Sequence, residues 1–136
     1  MPFAIDASVV AAWALEESHA IADAAAARLQ SEAAIAPGLW WYELRNVLVI
    51  AERHGRSTAQ RTAEFLSRIA PLPIVIDQSP DEESVLTLAR RHRLTVYDAA
   101  YLELAMREGL PLATLDTALM RAARSEAVPL VGVGED

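Results

Sequence analysis

Four carboxylates interrupt stretches that otherwise disfavour charge: Asp6 in AID-A, Glu43 in WYE-L, Asp98 in VYD-AA and Asp116 in TLD-T. An ionised carboxylate in such surroundings is costly unless it is paired or holds a cation. No Arg lies close in sequence to Asp6 or Asp98, whereas Arg45 and Arg121 are nearer candidates for Glu43 and Asp116. Oxygen donors with no nearby His or Cys select Mg²⁺ or Mn²⁺ over zinc. Such an ion acidifies a water and withdraws charge from a phosphate ester, so the chemistry in view is phosphodiester hydrolysis. Each acid also has a plainer reading. Asp6, Asp98 and Asp116 could each serve a helix start, and Glu43 could be a solvated helix residue.

The elements that must position these acids read as short apolar strands alternating with helices. FAID (3–6), 34–36, PIVID (73–77), LATL (112–115) and PLVGV (129–133) read as strands. Residues 8–15, 19–33, 39–53, 57–69, 79–93, 97–108 and 117–126 read as helices, with Ser8 and Ser79 as N-cap candidates and Pro80 in a first turn. Strands separated by helices imply a parallel sheet covered on both faces, a single three-layer α/β domain over 1–136. In such sheets sites form beyond the carboxyl ends of the strands, where Asp6 and Asp116 both fall. Asp98 lies in the first turn of its helix, and Glu43 one turn into the helix after Pro37-Gly38. Asp77 also ends an apolar strand, but an acidic, polar run follows it, so it reads as a loop residue, with a place in the site left open.

The 136 residues suit one domain, and a hydrophobic content of 53% is enough for a real core. With no cysteine, disulfides, thiolate zinc sites and a cysteine nucleophile are excluded, which fits a reducing cytoplasm. The opening MPFAID lacks the basic and long apolar regions of a signal peptide, and no apolar run reaches the ~18 residues of a membrane span. A net charge of −7 argues against a simple basic nucleic-acid binder. The cluster Arg90, Arg91, His92 and Arg93 either touches an RNA backbone or complements a helix C-terminus. His19, His54 and His92 lie in polar segments and read as surface residues. There is no Gly-rich dinucleotide turn after the first strand and no GxxxxGK[ST]. A haloacid-dehalogenase-type phosphatase would want a second Asp two residues after Asp6, where this chain has Ser8.

With these residues in view, the chain resembles a PIN-domain ribonuclease, and more closely the VapC toxins of bacterial toxin–antitoxin pairs. IDASVVAAW is similar to the first acidic motif, with Asp6 and the nearby hydroxyl of Ser8. WWYELRNVL resembles the second, an acid followed by Asn: Glu43 and Asn46. LTVYDAAYLELA resembles the third and places Asp98 at the metal, while LATLD resembles the last, with Thr114 and Asp116. Thr117 follows Asp116 where some relatives carry a further acid, which leaves one or two metals open. The resemblance implies a three-layer α/β/α PIN-like fold with a central parallel sheet. It further implies metal-dependent endonuclease cleavage of RNA, a VapB-type antitoxin and a homodimer. On that basis Asp6, Asp98 and Asp116 hold the metal, directly or through water, and Glu43 completes the catalytic set. Ser8, Asn46 and Thr114 orient ligands or water, or else act as caps and turn residues. The alternatives are a PIN nuclease of RNA processing without an antitoxin and a non-catalytic binding module.

The helix from Leu39 to Ile50 is apolar almost all round, so it is either an interior helix or faces a partner, a second copy or the antitoxin.

Overall fold

A computed structural model describes residues 1–134; the last two residues of the expected domain lie outside the described part. The chain runs β1 (Phe3–Ile5), α1 (Ala7–Ala14), α2 (Ala20–Arg28), β2 (Ala34–Pro37), α3 (Leu39–Arg53), α4 (Ala59–Ile69), β3 (Ile74–Asp77), α5 (Glu82–His92), α6 (Val96–Glu108), β4 (Leu112–Ala113) and α7 (Thr117–Ser125). The four strands form one parallel sheet in the order β3-β2-β1-β4. Parallel strands bury both faces, and β1 does so completely: Phe3, Ala4 and Ile5 have no exposed surface. Helix α1 packs on α2 and α3, while α6 packs on α5, α7 and strands β1 and β2. The result is a three-layer α/β/α fold with a central parallel sheet, as the alternation of strands and helices predicts.

Several local expectations are corrected. The last strand, expected over 129–133, reduces to one parallel bridge between Leu112 and Leu130. Helix α2 stops at Arg28 rather than near 33, because the chain must turn into β2. Ser8 is not a cap: it lies inside α1, and Asp6 holds the N-cap position. Likewise α5 starts after Asp81, whose carboxylate accepts from the Ser84 backbone N–H, so Ser79 and Pro80 precede the helix. The glycine stop of α6 is borne out, with Gly109 in the left-handed conformation (φ 65°) that a side chain would strain.

Helix α3 is not buried all round. Trp40, Leu44, Leu48 and Ala51 face the core, but Trp41 and Tyr42 are 46% and 71% exposed, and Val49 and Ile50 are also exposed. Two of the three histidines are likewise engaged: His19 caps α2 by accepting from Ile21 N–H, and His92 bonds Glu126. Arg91 joins that same carboxylate, which ties the α5 end to the α7 end and commits half of the basic cluster. Arg45 does not pair with Glu43; its guanidinium stacks 3.8 Å over the Trp41 ring. Among the described residues no helix is long and apolar enough to cross a membrane.

Candidate active site

Strand order brings the first and last acids together. In the β1–β4 register Ile5 lies beside Ala113, and Asp6 N–H donates to the Ala113 carbonyl at 2.9 Å. One step further on, Thr114 stands beside Asp6 although 108 residues separate them. Its hydroxyl donates to Asp6 Oδ2 at 2.7 Å, and Ser8 Oγ donates to the same oxygen at 2.8 Å. Both hydroxyls are held in turn by backbone: Ser8 Oγ accepts from Leu115 N–H and Thr114 Oγ1 from Asp116 N–H, each at 3.0 Å. Asp6 does not cap α1 with its own side chain, so the capping alternative fails for it. It is only 6% exposed, and its orientation is set by Ser8 in α1 and by Thr114 just after β4. Among the described residues none of the four acids makes an ion pair.

Asp116 does cap its helix: Oδ1 accepts from Leu119 N–H at 2.8 Å. Asp98 sits in the first turn of α6, whose cap is Thr95, accepting from Asp98 N–H at 3.1 Å. Three of the four acids therefore stand at helix N-termini, those of α1, α6 and α7. The positive ends of the helix dipoles offset part of their mutual repulsion. Glu43 comes from the second turn of α3 and is half-buried; its Oε1 accepts from the Tyr101 hydroxyl at 2.5 Å.

Electrostatics shows that the four acids share one region. Burial is the main force raising the Asp6 carboxyl, with the Asp116 charge adding to it and the two hydroxyl donors opposing it. Glu43 is raised by burial and by the charges of Asp6 and Asp98, against the hydrogen bond from Tyr101. Asp98 is pushed up to about 6 by burial and then by Asp116 and Asp6. As they stand, no three His, Asp or Glu side chains among the described residues are close enough to close round a metal ion. The donors are all hard oxygens with no balancing cation, which fits a divalent ion of the Mg²⁺ type. Coordination by three of them requires side chains to turn inward.

Asn46 is exposed and makes no hydrogen bond to the acids; it lines a cleft of about 490 Å³ with Tyr42, Glu43, Arg45 and Val49. Asp77 is the last residue of the edge strand β3, not a loop residue, and it pairs with Arg107 at 2.7 Å. That pair holds its carboxyl low, in contrast to the raised group around Asp6. Tyr101 is the residue that pattern reading passed over. Its signal was its place three residues after Asp98, on the same face of α6.

A family model described as PIN domain matches residues 3–125. Among solved structures, PAE2754 from Pyrobaculum aerophilum is similar over 90% of this chain and 79% of that one, at 27% identity and a TM-score of 0.69. No curated protein is significantly similar in sequence.

Proposed function

Since the chain belongs to the PIN-domain family, a nuclease-type fold, we propose that it is a divalent-metal-dependent endoribonuclease and the toxin of a VapBC-type pair. The observation that carries the nuclease reading is the gathering of Asp6, Glu43, Asp98 and Asp116, from four separate segments, without a counter-cation. Asp6, Asp98 and Asp116 would hold Mg²⁺ or Mn²⁺, with Glu43 completing the set. When bound, the ion supplies a more acidic water and draws charge from the scissile phosphate. The chain's own part is orientation. Ser8 and Thr114 fix Asp6 Oδ2, and the cap bond to Leu119 N–H fixes Asp116 Oδ1. Raised carboxyls in the metal-free state also mean that protons are displaced as the ion enters.

The toxin reading rests on the motif resemblance and on the exposed face of α3. Trp41, Tyr42, Val49 and Ile50 leave an apolar surface suited to a second copy or to a VapB-type antitoxin. The deciding experiment incubates the purified protein with structured RNAs, with Mg²⁺ or Mn²⁺ or with chelator, beside Asp6→Asn. Cleavage is expected only for the unaltered protein with metal. Cleavage that persists in chelator, or in Asp6→Asn, would falsify the mechanism.

A further inference from the structure

Tyr101 lies within the third acidic motif, three residues after Asp98, but the acids alone carry that motif's chemistry; it is fully buried and joins α6 to α3. It has no exposed surface, and it is the largest side chain in the core to be so enclosed. Its hydroxyl donates to Glu43 Oε1 at 2.5 Å across 58 residues of sequence. A phenol has one proton to give. Here that proton goes to Glu43.

We propose, on the nuclease reading above, that Tyr101 is a positioning residue: it grips Oε1 of Glu43 and turns the other carboxylate oxygen toward the metal-binding acids. Without the grip, a glutamate on the outer part of α3 has a way out. Its neighbours Tyr42 and Asn46 are exposed, the cleft beside it is open, and the charges of Asp6 and Asp98 push it away. Tyr101 thus opposes the rotation that repulsion favours.

The test is Mn²⁺ affinity of Tyr101→Phe by titration calorimetry, with melting in chelator as the measure of fold. Loss of a hydrogen bond that orients a ligand weakens metal binding by roughly 10–100-fold. The same substitution is expected to add nothing in a Glu43→Gln background, since the residue it positions is already lost as a charged ligand. Glu43→Asp, one methylene shorter, cannot span both contacts; it carries the same test without disturbing the core, and weakening of similar size is expected. Mn²⁺ affinity of Tyr101→Phe within about twofold of the parent overturns the role, as does an equal loss with and without Glu43, which packing alone would give. Asp6→Asn separates the levels. If it abolishes Mn²⁺ binding while Tyr101→Phe does not weaken it, only the role of Tyr101 falls. If Asp6→Asn binds Mn²⁺ normally, the metal site itself falls and the role with it.

Discussion

Replacing Asp98 by Asn should make the metal-free protein more stable while removing its response to metal. Burial and the charges of Asp116 and Asp6 push the Asp98 carboxyl from 3.8 to about 6. A difference of about two pH units corresponds to ~3 kcal/mol at ~1.4 kcal/mol per unit. Asp98 is partly exposed, so solvent screening reduces this to about 1–2 kcal/mol. The folded-state value lies above the unfolded one, so folding favours the protonated form. The penalty is absent below about pH 3.8, grows as pH rises through about 6, and is full above that. Asparagine is neutral at every pH and escapes it. In chelator near neutral pH, the melting temperature of Asp98→Asn should exceed the parent's by about 3–8 °C for a chain of this size. Near pH 4 the gain should shrink toward zero. With Mn²⁺ the order should invert, because ligand binding to the folded form stabilises only a competent site. Differential scanning calorimetry at the two pH values, with and without Mn²⁺, measures all of this. A variant no more stable than the parent in chelator, or a gain undiminished near pH 4, refutes the argument that crowded, buried carboxylates carry the site.

Thr114→Val keeps the shape of a buried side chain but removes the donor to Asp6 Oδ2 and the acceptor for Asp116 N–H. Urea denaturation in chelator should show a loss of about 1–3 kcal/mol, with the Asp6 carboxyl moving further up. Arg107 holds Glu103, which is 3% exposed, and Asp77 at the edge strand. Arg107→Ala strands a buried carboxylate and should cost about 3–5 kcal/mol by the same measurement, part of it recovered by adding Glu103→Gln. The exposed apolar face of α3 predicts association: size-exclusion with light scattering should give a dimer, and a clean monomer at all concentrations would sink the homodimer.

Much of the fold is legible in the chain because its cause is local. Apolar runs of strand length alternate with helical segments, and a glycine stops α6 where a left-handed residue is needed. These same local signals placed Asp6 and Asp116 after strands and Asp98 in a first helical turn. They did not separate caps from working groups. Asp6 and Asp116 both occupy N-cap positions, yet only Asp116 caps its helix, because two hydroxyls claim Asp6 instead.

What local pattern could not decide is which strands become neighbours. Asp77 and Asp116 both lie at the ends of apolar runs, and the polar, acidic segment after Asp77 is only an indirect sign against it. The order β3-β2-β1-β4 ranks them: β4 lies against β1 and sets Thr114 and Asp116 beside Asp6, while Asp77 sits two strands away and meets Arg107. The meeting of Glu43 and Tyr101 has the same origin, since no periodicity within α3 or α6 encodes the contact between them. Spacing along a chain states which side of an element is buried. Which buried sides meet is settled only when the whole core packs, and in this protein that packing assembles the four acids.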